Sequence, residues 1–201
     1  MKVYFKYATM GSGKSAKACI VARNYQEQGL KALCIIPATD TRHQFERESG
    51  DPNGRPIGKI ASRIEGLEQK AYVLPERKLM TEDMADIIES ADVIIIDEAQ
   101  FLSKEQVTDI VRYSLEKDKP VICYGLLTTF KTELFEGSKR FIELGAKLEH
   151  LKSVGTNGKS TVVNARFNDG EIQTTGKDIE VGGNERYRAI SLQEYFDLVK
   201  P

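Results

Sequence analysis

The apolar positions of this chain fall into short unbroken runs separated by stretches of helical spacing. Val3 to Tyr7, Ala32 to Ile36, Ala71 to Leu74, Val93 to Ile96 and Pro120 to Gly125 read as strands. The runs at 32–36 and 93–96 are apolar at every position, as an interior strand of a parallel sheet requires. Helical patterns lie between them. One runs from about Gly13 to Gln28, with Ala18, Val21, Ala22 and Tyr25 on one face and Gly29 as its stop. A second opens at Thr81 as N-cap and carries Met84, Ile87 and Ile88. A third opens with the capping box Ser103 and Gln106 and carries Val107, Ile110, Val111 and Leu115. This alternation predicts an α/β fold, a parallel sheet with helices on both faces. The polar stretch from Thr39 to Gly58, which includes Asp51-Pro52-Asn53-Gly54-Arg55-Pro56, reads as a mobile loop.

The first strand runs into Ala8-Thr9-Met10-Gly11-Ser12-Gly13-Lys14-Ser15, whose small residues leave backbone N–H groups uncovered at a helix start. Such a start holds anions through unpaired donors and the positive end of the helix dipole. The pattern is that of a Walker A loop, in which Lys14 would reach the β- and γ-phosphates of a nucleotide and the Ser15 hydroxyl would ligate Mg²⁺. Ala8 stands where the pattern has its first glycine, while the end that carries the chemistry is intact. The run at 93–96 closes in Asp97-Glu98, like a Walker B strand whose aspartate holds Mg²⁺ at the C-terminal edge of the sheet. Glu98 can then accept a proton from an attacking hydroxyl or water. A structural turn and a capped strand end are the plain alternatives for the two motifs, and their joint occurrence in an α/β chain favours a nucleotide site. Phe130 follows the strand at 120–125, where open α/β sheets bind ligands, and can stack on a base or simply pack.

Charge and composition narrow the function classes. The 201 residues carry 29 Lys and Arg against 30 Asp and Glu, a net charge of −1. This balance gives no reason to expect a nucleic-acid or membrane-surface partner. No apolar run approaches membrane-spanning length and the first residues form a strand pattern instead of a signal peptide, so a cytoplasmic location is expected. Cys19, Cys34 and Cys123 lie far apart in apolar segments, as buried reduced thiols do.

In order and spacing, several segments resemble the type II thymidine kinases over nearly the whole chain. They are Tyr7 through Ser15, Asp40-Thr41-Arg42, Ser62-Arg63 before Gly66, Asp97 through Phe101, Tyr124 through Phe130, and Val181 through Tyr187. The resemblance implies a P-loop fold that transfers the γ-phosphate of ATP to the 5′-hydroxyl of deoxythymidine, in a cytosolic homotetramer serving nucleoside salvage. It implies Glu98 as catalytic base, Ala8 through Ser15 with Asp97 as the ATP site, and Ser15 and Asp97 as Mg²⁺ contacts. It places Met10, Gln100, Phe101, Leu126, Phe130 and Tyr187 around the nucleoside, with Asp40 and Arg63 nearby. A lasso segment, Val181-Gly182-Gly183-Asn184, would bond the thymine edge through its main chain, which two glycines let approach a flat ligand closely. The division implied is a nucleotide-binding domain at 1–149 and a small lasso domain at 150–201.

One departure concerns metal. Members of that family usually carry a structural zinc in the lasso domain, and the aligned ligand positions here are Val154, Asn157, Ser191 and Glu194. None is a thiolate or imidazole ligand, so no zinc is expected. Ser191 and Glu194 instead read as a capping box for a helix that packs through Leu192, Tyr195, Phe196 and Val199. A second departure is Leu127, where many bacterial relatives carry arginine. Two other functions fit the motifs less well. A nucleic-acid motor would need a basic, aromatic-rich groove. A non-catalytic nucleotide-binding regulator would have no chemical need for Lys14, Ser15, Asp97 and Glu98 together.

Overall fold

Seven strands form one sheet whose order is β3-β4-β2-β5-β6-β1-β7. They are β1 (Val3–Tyr7), β2 (Ala32–Pro37), β3 (Ile57–Ala61), β4 (Glu68–Leu74), β5 (Val93–Ile96), β6 (Val121–Gly125) and β7 (Lys147–His150). All neighbours run parallel except the β3–β4 pair at one edge. The computed structural model describes residues 1–39, 51–178 and 186–200.

The wholly apolar strand β5 follows from helices on both of its faces. Val93 and Ile95 join a cluster with Cys34, Ile36 and Tyr124 under Ala18, Cys19 and Ala22 of α1 (Lys14–Glu27). Ile94 and Ile96 turn the other way, into a cluster with Ile35, Val121 and Cys123. That face is covered by α2 (Met80–Asp83), α3 (Ala85–Ile88), α4 (Lys104–Lys117) and α5 (Glu136–Glu143), which contribute Met80, Ile88, Val107, Ile110 and Phe141, with Met84 between α2 and α3. The two clusters cover opposite faces of the sheet, and the loops after β1, β5 and β6 follow the C-terminal ends of its adjacent strands. Among the described residues, no helix is long and apolar enough to cross a membrane.

Several expectations need correction. The stretch read as a loop to Gly58 ends at β3, which pairs antiparallel with β4 and starts at Ile57. Before it, Asp51 accepts hydrogen bonds from the N–H groups of Asn53 and Arg55, at 3.0 and 2.9 Å. The Arg55 guanidinium bridges Asp51 and Asp86 of α3, so residues 51–56 are pinned to the domain. Residues 40–50 lie outside the described residues. Thr81 is not an N-cap; it sits inside α2, and both its N–H and its hydroxyl donate to Asp109 of α4. A carboxylate from another helix thus satisfies the orphan N–H that local sequence was expected to cap. The α1 face is as expected, Ala18 and Ala22 being buried and Val21 and Tyr25 packed against the same cluster, which Cys19 also joins. Leu115 of α4 is exposed. The capping box of α4 forms as expected, Ser103 Oγ accepting from Gln106 N at 3.2 Å and Gln106 Oε1 from Ser103 N at 3.0 Å.

Beyond β7 the chain builds a second, antiparallel sheet of β8 (Val163–Asn168), β9 (Glu171–Gln173) and β10 (Tyr187–Ile190), in the order β10-β8-β9. Val163, Ala165 and Phe167 project from β8 into a small core with Ile190 and with Tyr195 of α6 (Leu192–Leu198). Only part of the expected α6 face packs: Tyr195 is buried and Val199 leans on the core, while Leu192 and Phe196 are exposed. Ser191 Oγ caps α6 by accepting from Glu194 N at 3.2 Å. The Glu194 carboxylate accepts instead from Asn157 Nδ2 at 3.0 Å, which ties the turn after β7 to the start of α6.

Candidate active site

The loop from β1 to α1 wraps around the Lys14 side chain. Gly13 stands at the N-cap of α1 in left-handed conformation, φ 79°, and no side chain caps that helix start. Its first N–H groups are therefore left for a ligand. The buried Lys14 ammonium lies among the loop's own acceptors, 2.8 Å from the Thr9 carbonyl oxygen and 3.3 Å from that of Ala8. Arg63 reaches the same loop from the β3–β4 turn: its Nη1 lies 3.8 Å from where a Cβ on Gly11 would stand.

Beside the loop, β5 delivers Asp97 and Glu98 at the sheet edge, both buried. Burial first, and the Glu98 charge second, push the Asp97 carboxyl up to about 7, against the pull of a hydrogen bond from the Ser15 side chain. Asp97 Oδ1 has no hydrogen-bond partner. An orphaned carboxylate oxygen in a buried place is costly unless a cation completes it. Ser15 and Asp97 together thus fit a hard, oxygen-preferring cation.

Glu98 adopts left-handed backbone, φ 52° and ψ 36°, at the point where β5 breaks into a 3₁₀ turn at Ala99–Phe101. A non-glycine residue held there marks a constrained site. Its carboxylate accepts from Gln100 Nε2 at 2.6 Å, and Gln100 Oε1 accepts from Leu126 N at 2.9 Å. The main-chain donor fixes the orientation of the Gln100 amide, which leaves only an N–H to offer Glu98. Gln100 is 2% exposed, with both ends of its amide engaged inside the protein. A Cβ on Gly125 would stand 2.7 Å from Gln100 Oε1 and 3.1 Å from the Phe5 ring. Gly125→Ala is expected to lower Tm by several degrees, through an overpacking cost of about 1–3 kcal/mol. It should slow turnover as well, because the displaced amide is the one bonded to Glu98; a thermal melt and a turnover assay check both.

Of the candidate nucleoside residues, Gln100 and Leu126 are joined by the hydrogen bond above, and the N–H of Met10 in the P-loop is held by Asn164. Phe101 meets Phe135 edge to face, with centroids 6.0 Å apart. Phe130 is buried, with the Arg166 guanidinium 3.7 Å above its ring centroid. Tyr187 opens β10, directly across from Arg166. Asp40, Val181, Gly182, Gly183 and Asn184 lie outside the described residues.

Phe135, Asn164 and Arg166 were not singled out from sequence. Asn164 Oδ1 accepts the Met10 N–H at 2.7 Å, and the Thr9 hydroxyl lies 2.8 and 2.7 Å from those of Ser153 and Thr161. The small sheet therefore packs on the phosphate loop itself. The usable signal was the alternation Val163-Asn164-Ala165-Arg166-Phe167, whose apolar members face one core and whose polar members are buried nonetheless. Val154 and Ser160 form an isolated bridge that closes the 154–160 turn, and Asn157 and Glu194 are hydrogen-bonded to one another. Among the described residues, no group of three or more His, Cys, Asp or Glu could hold a metal ion.

A strand ending in a glycine loop, a helix opening on a buried lysine, and a paired carboxylate on a central strand define a P-loop nucleotide-binding protein. The thymidine kinase family profile matches residues 1–195. A thymidine kinase of Lactococcus lactis is 36% identical over 197 residues, spanning 97% of both chains. One from Zymomonas mobilis is 37% identical over 203 residues, covering 98% of this chain and 96% of its own. The chain belongs to the thymidine kinase family.

Proposed function

We propose that this protein transfers the γ-phosphate of ATP to the 5′-hydroxyl of deoxythymidine. The observation that carries the reading is the convergence of Lys14, Ser15, Asp97 and Glu98 at one sheet edge, in a chain related to thymidine kinases from end to end. In this reading the uncovered amides of the loop and Lys14 hold the triphosphate. Ser15 and Asp97 would hold Mg²⁺, which when bound neutralises charge on the β- and γ-phosphates. Glu98, oriented by Gln100, accepts the proton of the attacking hydroxyl. Positioning and fixed charge supply the remainder of the rate. Residues 1–149 form the nucleotide-binding part and 150–201 the small substrate-binding part.

The test is phosphate transfer from Mg²⁺-ATP across a panel of nucleosides, with hydrolysis in the presence of single-stranded DNA measured beside it. Transfer to deoxythymidine is expected. Nucleotide binding without transfer to any nucleoside would point to a regulatory relative, and DNA-stimulated hydrolysis to a motor.

A further inference from the structure

We propose that Arg166 is a positioning residue for the nucleoside, fixing the Phe130 ring and the turn after β9 as one unit at the edge of the site. The inference rests on the kinase reading above. Arg166 projects from the polar face of β8 and is buried to 6% exposure. Its guanidinium carbon lies 3.7 Å from the Phe130 ring centroid, so the planar cation covers one face of that ring. The edge of the same fork donates to two carbonyls of the turn, Nη1 to Lys177 O at 3.0 Å and Nη2 to Thr175 O at 2.9 Å. Between those carbonyls stands Gly176, φ 120°, and a Cβ there would collide with Nη2.

Two further contacts surround this clamp. Lys131, next to Phe130, pairs with Asp178, next to Lys177, at 2.7 Å, so the loop after β6 and the turn after β9 are tied twice. Tyr187 faces Arg166 across the strand pair. Desolvating a guanidinium is expensive, and a chain that only needed a strand here would place an apolar residue at position 166. The cost is met by the Phe130 ring, which the kinase reading sets against the nucleoside, and by two carbonyls of the turn after β9. Arg166 touches no reacting atom in this scheme; it sets where Phe130 and the turn stand.

The experiment uses the full chain and compares Arg166→Met, Arg166→Lys and Gly176→Ala with the unmodified protein, reading KM for thymidine, KM for ATP, kcat and Tm. Arg166→Met and Gly176→Ala should raise the thymidine KM about tenfold or more while leaving the ATP KM and kcat within about threefold. Arg166→Lys keeps the charge but loses the fork, and should recover only part of the loss. Gly176→Ala attacks the clamp from an exposed turn and leaves the guanidinium in place, so it reports even where Arg166→Met folds poorly. An unchanged thymidine KM, or thymidine and ATP KM values rising together with a fall in Tm, would overturn the inference. Failure of the unmodified protein to phosphorylate thymidine would sink the kinase reading instead. Calorimetric binding of thymidine then decides on Arg166 without turnover: equal affinity in Arg166→Met overturns the positioning role, and weaker affinity upholds it.

Discussion

Glu98→Gln should lower turnover by about 10²–10⁴-fold, the range for losing a positioned general base, with ATP affinity nearly unchanged. The geometry makes this substitution informative. Glutamine has the shape of glutamate, and its carbonyl oxygen can still accept from Gln100 Nε2, so the hydrogen bond and the left-handed backbone at 98 need not change. What is lost is the capacity to take a proton. Lys14 and the loop amides, to which the proposed function assigns nucleotide affinity, are untouched. Steady-state transfer to thymidine and equilibrium ATP binding check the two halves separately. Full turnover would remove Glu98 from the base role, and lost ATP affinity would move it into the nucleotide site.

What could be read from sequence divides along a physical line. Signals that act within one element were legible: the apolar run at 93–96, the Ser103 and Gln106 box, and the loop from Ala8 to Ser15 all stand where local pattern puts them. Signals that need a distant partner were not. Thr81 looks like a cap because threonine caps helices, yet Asp109 of α4 does the capping. Strand β3 looks like loop because its sequence, Ile57-Gly58-Lys59-Ile60-Ala61, becomes a strand only by pairing with β4 at the sheet edge. The motifs point to the chemistry proposed for the site, whereas the residues that hold it in place lie elsewhere in the chain. Asn164 and Arg166 are remote in sequence from the residues they hold, and a buried arginine on an alternating strand carries no motif.

Asp97→Asn is expected to act in opposite directions on activity and stability. Activity should fall by several orders of magnitude, because the buried carboxylate and the Ser15 hydroxyl are the pair suited to hold the metal. Stability of the metal-free protein should rise. An Asp97 carboxyl raised to about 7 by burial and by Glu98 binds a proton in the folded chain that it releases when unfolded, where its pKa is about 4. Between those values each step up in pH favours unfolding, and above about 7 the full penalty stands. Asparagine removes the charge and still accepts from Ser15, so Tm measured with a chelator at pH 8 should exceed that of the unmodified protein by about 5 °C. The gain should shrink as pH falls and vanish below about 4, where both forms are neutral. A pH-independent difference would mean that the effect is packing and not charge. Lower stability at pH 8 would mean that the loop contacts outweigh the cost of the buried carboxylate. In the proposed reading Asp97 Oδ1, which has no hydrogen-bond partner, is the atom a bound cation would complete, so metal binding would offset the cost of keeping a buried carboxylate.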